Sequence, residues 1–310
     1  MTRYLSQRTS AVLPVLLLVS AAVFAIMHVL PGDPVQLMLA GAEAGQVTPE
    51  LMAQLRKSMG LDQPLYTQFA RFVLNALRGD LGESIRFQSP VSALVGQAAV
   101  HTAELSVAGL LVALAIGLPL GVVAALNENT WVDALCMVVA LLGVSMPLFW
   151  LGQLLIMGLA IHLRWLPAIS GDQARGLILP AVTLGFVAAG LISRLMRSSL
   201  SEVLHHEYVR TARAKGLHEG AVVIRHALRN ALIPVLTVVG LQFGGMLSGA
   251  VVTETVFSRP GLGTLLVKAI LWHDYPLVQG AVLLMAASYV LVNLWVDVMY
   301  AWVDPRIHYA

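Results

Sequence analysis

The chain has few charged residues, and this scarcity restricts what the protein can be. Asp, Glu, Lys and Arg make up 12% of its 310 residues, whereas a water-soluble domain usually carries about 25%. Hydrophobic residues make up 58%, so the composition indicates a protein of the lipid bilayer. The formal net charge of +2 is too small to indicate a surface for nucleic acid.

Several chemical motifs are also missing. The single cysteine, Cys136, excludes an intramolecular disulfide and any metal site built from several cysteines. No G-x-x-x-x-G-K-[ST] phosphate loop occurs in the sequence, so we expect this chain not to hydrolyse ATP. The tripeptide His205-His206-Glu207 lacks the second histidine of the H-E-x-x-H zinc motif. We therefore expect no catalytic residues, no bound metal and no other cofactor.

Long apolar runs, in contrast, are abundant. A helix needs about 20 apolar residues to cross about 30 Å of hydrocarbon. Six runs satisfy this and predict an all-α polytopic membrane protein with six transmembrane helices: 11–30, 101–126, 132–163, 177–196, 231–252 and 278–303. The first run is longer than the core of a signal peptide, so we expect an uncleaved anchor. In the third, Ser145-Met146-Pro147 predicts a kink because proline lacks a backbone N–H.

The positions of Lys and Arg predict the orientation of these helices. Cytoplasmic loops carry an excess of both, while long loops translocate regardless of charge. Outside the long loop 31–100, ten basic residues share the side of the N-terminus: Arg3, Arg8, Arg194, Arg197, Arg210, Arg213, Lys215, Arg225, Arg229 and Arg306. The other side receives four: Arg164, Arg175, Arg259 and Lys268. Both termini are therefore predicted to be cytoplasmic.

This topology divides the chain into four parts. Residues 1–30 form the first transmembrane helix, 31–100 an external loop, 101–303 a five-helix core, and 304–310 the cytoplasmic C-terminus. Within the external loop, Thr48 followed by Pro49 is typical of a helix start, and Gly60 of a helix end. An amphipathic second helix is predicted from about Pro64 to Arg78.

The spans contain two further features. Small residues follow one another at helical spacing in the fifth span and predict close helix packing, either with a second subunit or within this chain: Gly240, Gly244, Gly245, Ser248 and Gly249. In the sixth span, Asp297 lies on the same predicted cytoplasmic side as Arg194 and Arg197 of the fourth. We expect a structural ion pair between Asp297 and one of these arginines.

A polar segment, Glu207 to Leu217, interrupts the apolar runs within the predicted cytoplasmic loop 198–230. Its composition predicts a short surface helix, and we expect Gly216 to permit a sharp exit from that helix. By itself, a basic loop of this kind is also what the orientation rule alone would produce.

This segment and other motifs resemble the permease subunits of bacterial ABC importers for dipeptides, oligopeptides and nickel. The similarity extends over nearly the whole chain in the order of that family: Pro31-Gly32-Asp33-Pro34, Gly60 to Leu65, Gly79-Asp80-Leu81-Gly82, Tyr208 to Gly216, His226 to Pro234, Pro260-Gly261-Leu262-Gly263, Asn293 to Asp297, and Asp304-Pro305-Arg306. Of the general cytoplasmic-loop pattern of the superfamily, Ala212, Gly216 and Leu228 match.

The resemblance implies a type I importer permease fold in the bacterial inner membrane. It implies that the polar segment is a coupling helix that inserts into an ATP-binding subunit, through Tyr208, Arg210, Thr211, Ala212, Arg213, Lys215, Gly216 and Leu217. It also implies a second permease chain, two ATP-binding subunits that use ATP and Mg²⁺, and an external binding protein. The expected cargo is a peptide-like solute, with nickel, metal chelates, glutathione and opines carried by similar permeases.

Two other functions remain open at this stage. One is a carrier or channel driven by an ion gradient, although no chain of acidic or histidine residues crosses the predicted bilayer. The other is an intramembrane serine protease that uses Ser248. Such an enzyme needs a base for its serine, and the fourth, fifth and sixth spans contain no histidine.

Overall fold

The computed structural model describes residues 2–29, 35, 48–58, 61–169 and 174–303. Within these ranges the chain is almost entirely helical, which confirms the all-α class, and Glu83 and Pro90 form an isolated antiparallel bridge. We label the helices α1 Thr2–Val29, α2 Pro49–Ser58, α3 Leu65–Leu77, α4 Val91–Leu126, α5 Trp131–Ser145, α6 Leu148–Leu155, α7 Ile178–Leu204, α8 Glu207–Ala214, α9 Leu228–Val256, α10 Leu262–Leu271 and α11 Tyr275–Val303.

Shorter helical pieces connect some of these helices. A π-helix, Ile156–His162, continues α6, and a 3₁₀ turn, Ala174–Leu177, precedes α7. After α8, one helical turn at Glu219–Ala221 and a π-helix at Val222–Ala227 lead into α9. Extended in this way, the described part of the chain has four helical segments long and apolar enough to cross a membrane: Val91–Leu126, Arg175–Leu204, Glu219–Val256 and Tyr275–Val296.

The remaining two predicted spans have a different form. Helix α1 contains a shorter apolar stretch, Val12–Met27. The third predicted span is broken, because α5 and the segment Leu148–His162 are bent by 108° relative to each other. The break falls where the sequence predicts it, with α5 ending at Ser145 and Pro147 preceding α6. The count of six spans and the cytoplasmic termini stay predictions, and residues 304–310 lie outside the described ranges.

The helix that contains the second predicted span is longer than that span. Helix α4 begins at Val91, ten residues before the predicted boundary at His101. Its 36 residues are about 54 Å long at about 1.5 Å per residue, which is more than the hydrocarbon core requires. The predicted crossing 101–126 lies within this helix, and sequence hydropathy missed the turns that precede it.

The contacts divide the chain into two compact units. Of the described residues, one unit comprises 102–169, 174–259 and 292–303, and the other comprises 2–29, 35, 48–58, 61–101 and 260–291. In the first unit α7 is the central helix. Of its most apolar window 67% is buried, against 28% or less in the other three long segments. Its large buried side chains, Ile192, Met196 and Leu200, form the core of this unit together with residues of α4 and α9.

Glycines allow the helices of this unit to lie close to α7. A Cβ atom added at Gly121 of α4 would lie 2.5 Å from the Ser193 carbonyl oxygen, and one added at Gly143 of α5 would lie 2.7 Å from that of Phe186. Such distances leave no room for a side chain. The apolar pattern of the sequence therefore becomes a tightly packed core only because these positions carry glycine.

The second unit has its own apolar core, which includes Met27 of α1, Val95 of α4 and Leu277 of α11. Both helices predicted in the long loop are present, as α2 and α3. Thr48 has the predicted N-cap role, since its Oγ1 atom accepts a hydrogen bond from the Leu51 N–H at 3.2 Å. The predicted end of α2 at Gly60 lies outside the described residues.

Candidate functional site

The polar segment forms a helix, as the sequence predicts. Helix α8 follows α7 after a short break at His205 and His206, and His206 has the extended backbone of a residue that precedes a helix. Backbone N–H groups of Val209 and Arg210 donate to the His206 carbonyl oxygen at 3.0 and 3.3 Å. The helix begins at Glu207 and ends at Ala214, within the polar segment Glu207 to Leu217.

One face of α8 is anchored in the protein. Val209 is fully buried and Ala212 is 7% exposed, and both belong to the apolar core of the first unit together with Val203 and Val222. Because these two residues are three positions apart, they lie on the same face of the helix. This anchoring fixes α8 to the ends of the helices before and after it, so the segment is a docked element and not a loose loop.

The other face is exposed and rich in basic residues. Arg210, Arg213 and Lys215 are all exposed, and so are Thr211 and Leu217. The Tyr208 ring is also exposed and stacks on the His206 ring, with 5.8 Å between ring centroids. This exposed face therefore offers several positive charges beside apolar and aromatic side chains.

Hydrogen bonds hold these exposed side chains in place. The Arg213 guanidinium binds both carboxylate oxygens of Glu219, with its shortest contact, from an Nη atom to Oε1, at 2.6 Å. This hydrogen-bonded carboxylate raises the pKa of Arg213 above its ordinary value. The Tyr208 hydroxyl accepts a hydrogen bond from Asn230 Nδ2 at 2.8 Å. Arg210 pairs with Glu207 of the preceding turn at 3.0 Å.

Gly216 ends this helical segment, which agrees with the sequence prediction. Its φ angle is +80°, in the left-handed region that favours glycine. Its N–H donates to the Arg213 carbonyl oxygen at 2.9 Å. No heavy atom lies within 4 Å of the position that a Cβ would take. The requirement for glycine here comes from the backbone conformation and not from crowding.

The expected ion pair of Asp297 with Arg194 or Arg197 stays a prediction, but Arg197 has another partner in the structure. Arg197 pairs with Asp133, near the start of α5, with 2.6 Å from Nε to Oδ1 and 2.6 Å from an Nη atom to Oδ2. Arg194 is exposed, and the side chain of Asp297 lies outside the described residues. The physical reason is packing, because α5 lies against α7 and brings a carboxylate to Arg197 from 64 residues away.

Asp133 is thus a residue that sequence reasoning missed. A signal for it existed. Thr130 is the N-cap of α5, and Asp133 follows three positions later, as acidic residues often do in the first turn of a helix. The predicted topology also places this helix start on the same cytoplasmic side as Arg197. These facts mark Asp133 as a carboxylate on the side of Arg197, but they do not name the arginine as its partner.

The small residues of the fifth span lie on α9 and face in different directions. A Cβ at Gly240 would collide with Val296 of α11, and one at Gly249 would lie 2.9 Å from a Leu184 side-chain carbon of α7. Gly244 is buried, whereas Gly245 and Ser248 are exposed. Gly240 and Gly249 therefore allow packing within this chain. A contact of Gly245 and Ser248 with a second subunit stays a prediction.

Glu104, which the sequence places one turn inside the second span, also has a long-range partner. The Arg259 guanidinium, whose side chain is 5% exposed, binds Glu104 at 2.7 Å. The buried Glu254 accepts a hydrogen bond from the Thr102 hydroxyl at 2.6 Å. Among the described residues, His, Cys, Asp and Glu side chains form no group of three or more that could hold a metal ion.

Comparison with known proteins places these features in context. Residues 117–309 match the sequence profile of the family described as binding-protein-dependent transport system inner membrane component. Residues 1–94 match the N-terminal profile of the membrane component of the same systems.

Curated relatives are similar over the full length. The chain is 44% identical over 309 residues to the glutathione transport system permease protein GsiC of Escherichia coli O6:H1, with all of both chains covered. It is 43% identical, again over 309 residues and all of both chains, to the proteins of the same name from Escherichia coli K12 and Salmonella typhimurium LT2.

Solved structures support the fold. The chain resembles the MetNI methionine ABC transporter in an inward-facing conformation, with a TM-score of 0.60 and 18% identity, over 68% of this chain and 96% of the other. An amino acid ABC transporter crystallised with histidines gives a TM-score of 0.53 and 14% identity, over 70% and 95% of the two chains. The fold is that of an ABC importer membrane subunit.

Proposed function

Since the chain belongs to the family of inner membrane components of binding-protein-dependent transport systems, and is thus a multi-pass permease subunit of an ABC importer, we propose that α8 is its coupling helix and that its cargo is glutathione or a similar small peptide. The proposed coupling role rests on how α8 is held and on which face it exposes. It is anchored by Val209 and Ala212 and presents a basic face to the outside.

Because α8 is anchored in this way, it is suited to transmit a movement. A helix that is docked on the ends of two spans moves with them as one body. When two ATP-binding subunits close around ATP, a helix held by one of them shifts the attached cytoplasmic ends, and access to the pathway changes. The exposed Arg210, Arg213 and Lys215 favour an acidic groove on that subunit.

The proposed complex contains this chain, a second similar permease chain, two ATP-binding subunits and an external binding protein. The family description supports the binding protein, because it names transport that depends on one. The absence of a phosphate loop from this sequence supports separate subunits that bind ATP and Mg²⁺. We propose no cofactor and no catalytic residue on this chain, which forms one half of the translocation pathway.

Cross-linking tests the role of α8. In a chain with Cys136→Ala, a cysteine at Lys215 should form a cross-link to the ATP-binding subunit in membranes. A cysteine at Lys268, which is exposed on α10 and predicted to be external, is the matched control and should give none. Equal cross-linking from both positions, or none from Lys215 and its neighbours on α8, would refute the coupling role.

The proposal for the cargo rests on the 44% identity to a glutathione transport permease over the whole chain. Cells that express all subunits should take up labelled reduced glutathione, and deletion of this chain alone should abolish the uptake. Competition with dipeptides and with Ni²⁺ distinguishes the other cargoes of similar permeases. Ligand that co-purifies with the binding protein gives an independent identification.

Reconstitution tests the dependence on ATP. In liposomes, the complete complex should accumulate glutathione with ATP, whereas this chain alone should not transport it under a proton or sodium gradient. Uptake by the isolated chain under such a gradient would identify a secondary carrier instead.

A further inference from the structure

The last turns of α7, immediately before α8, are tied to a helix that is distant in sequence. Arg197 approaches Asp133 with two parallel hydrogen bonds of 2.6 Å. Asp133 is 5% exposed, and the Arg197 side chain is 27% exposed. A two-pronged contact of this kind fixes both the distance and the orientation of the two groups.

A second bond reinforces the first. The Ser201 hydroxyl donates to Glu128 Oε2 at 2.6 Å. Arg197 and Ser201 are four residues apart on α7 and therefore share a face. Glu128 and Asp133 lie on either side of Thr130, the N-cap of α5. Both bonds therefore connect the same end of α7 to the same helix start, and we call these four side chains the brace.

The start of α5 is itself well fixed, so it can act as a rigid attachment point. The Thr130 Oγ1 atom accepts a hydrogen bond from the Asp133 N–H. The Asn129 N–H donates to Asp133 Oδ2 at 3.1 Å. The carboxylate that binds Arg197 is thus also held by its own local backbone, and a displacement of Arg197 is transferred to the helix.

The opposite flank of α7 has a different partner. The Ser199 hydroxyl donates to the Ala231 carbonyl oxygen of α9 at 2.9 Å. Helix α7 leads into α8 through His205 and His206, and α9 follows α8 after the turn at Glu219–Ala221 and the π-helix Val222–Ala227, so the covalent chain connects both helices to α8. Helix α5 has no such connection to α8. Among the described residues, the brace is a polar link between α5 and the end of α7 that precedes α8.

We propose that the Arg197–Asp133 pair is a positioning contact that makes α5 follow the movement of α8. This inference rests on the proposed coupling role of α8 and adds a third helix to the moving body. Helix α5 ends at Ser145, where the chain bends by 108° into Leu148–His162. The brace thereby carries a movement at the cytoplasmic face to the bend inside the third span.

The test measures one distance in the complete importer complex in lipid nanodiscs. With the cysteines of the complex replaced, spin labels are placed at Trp131 and Glu207, the exposed first residues of α5 and α8. Double electron–electron resonance then gives their separation without nucleotide and after trapping with ATP and vanadate. In the parent complex we expect the same separation in both states. A separation that changes on trapping would overturn the proposal.

Variants of the pair provide the second readout. Arg197→Lys keeps the charge without the two-pronged contact, and Asp133→Asn removes the charge but keeps the shape. In both we expect the separation to change on trapping, and solute transported per ATP hydrolysed to fall about fivefold or more, within the usual range of coupling between sites. If both retain the parent separation and the parent ratio, the pair is not a positioning contact.

The reversed pair, Asp133→Arg with Arg197→Asp, controls for a merely structural role. It should restore part of the transport per ATP that the single variants lose, and failure to do so would assign the loss to the individual charges and overturn the proposal. Arg194→Ala removes an exposed charge from the same helix and should leave the ratio unchanged. A parent complex that cross-links at Lys215 but does not hold the Trp131–Glu207 distance refutes this inference alone.

Discussion

Two buried carboxylates, Asp133 and Asp274, each hold distant parts of the chain together, but they do so in different ways. Asp133 binds a charged guanidinium that is 64 residues away. Asp274 is fully buried and accepts hydrogen bonds from the Ser84 hydroxyl at 2.5 Å, from the Arg86 N–H at 3.1 Å and from the Leu277 N–H at 3.2 Å. Asp133 binds a side-chain cation and the backbone N–H of Asn129, whereas Asp274 binds a hydroxyl and two backbone N–H groups.

The difference indicates different roles. A contact between two charged side chains can be broken, reversed or repaired by substitution, and its strength depends on how the two helices lie. The hydrogen bonds of Asp274 come from a hydroxyl and backbone N–H groups, so it has no charged partner with which it could be exchanged. Asp274 therefore fixes a connection in its unit, where Arg86 and Phe87 also lie against the Trp272 ring. Asp133 joins two helices that, in the proposed mechanism, move together.

The largest effect is expected from Asp274→Ala. The substitution leaves the Ser84 hydroxyl and two N–H groups without their acceptor, and each orphaned buried group costs about 1–3 kcal/mol. We expect a total loss of about 3 kcal/mol or more of folding stability, seen as a much lower thermal unfolding temperature in detergent. Asp274→Asn keeps one acceptor oxygen and should therefore lose less folding stability. An unchanged unfolding temperature for Asp274→Ala would show that these three hydrogen bonds do not stabilise the fold.

The second largest effect is expected from Gly216→Pro, which should abolish transport without unfolding the spans. Proline has φ near −65° and no N–H, whereas this position has φ +80° and donates to Arg213. We expect transport to fall more than about tenfold, because the backbone can no longer leave α8 in its native conformation. The Cβ added by Gly216→Ala would contact no other atom, so this variant should cost only about 1–2 kcal/mol of local strain. Transport by Gly216→Pro at the parent rate would contradict the coupling role.

A smaller effect is expected from charge reversal on α8, with Arg213→Glu combined with Lys215→Glu. Exposed ion pairs contribute about 0–1 kcal/mol to folding, so the unfolding temperature should change little. Binding of the ATP-binding subunit should weaken about tenfold if the basic face meets an acidic groove. Pull-down of the subunit measures this, and Arg164→Glu, on the predicted opposite side, is the control. Equal binding by both variants would refute the electrostatic contact.

The smallest effects are expected when a single hydroxyl group is removed from each of the two regions. Ser84→Ala and Ser201→Ala each remove a short hydrogen bond to a carboxylate, of 2.5 and 2.6 Å respectively. Asp274 is fully buried, whereas Glu128 is partly exposed and can bind water instead. We expect a loss of about 1.5–3 kcal/mol for Ser84→Ala and about 0.5–1.5 kcal/mol for Ser201→Ala. Thermal unfolding of both variants tests the order, and a reversed order would contradict this comparison.

Much of the site followed from the sequence because it depends on local rules. The order of polar and apolar residues located α8 between two long helices, and glycine at position 216 marked the end of the segment before its positive φ was seen. Thr48 and Pro147 also act where the sequence placed them. Each of these features depends on residues within about one turn of the position concerned.

The features that sequence reasoning missed depend on which helices touch. Nothing near Arg197 in sequence names Asp133 as its partner, and Asp297 was an equally reasonable choice from helix ends alone. The burial of Val209 and Ala212 likewise depends on side chains from α7 and from the segment before α9.

The sequence by itself determined that this chain crosses a membrane, where its helices break, and that its exposed basic segment is helical. Hydrophobic length, proline and glycine act locally, so they need no knowledge of the fold. Only the tertiary structure decided that α5 is tied to the end of α7 and that Asp274 holds the loop at Ser84. Such contacts form between residues brought together by packing, and the packing is set by many small glycine and apolar contacts at once.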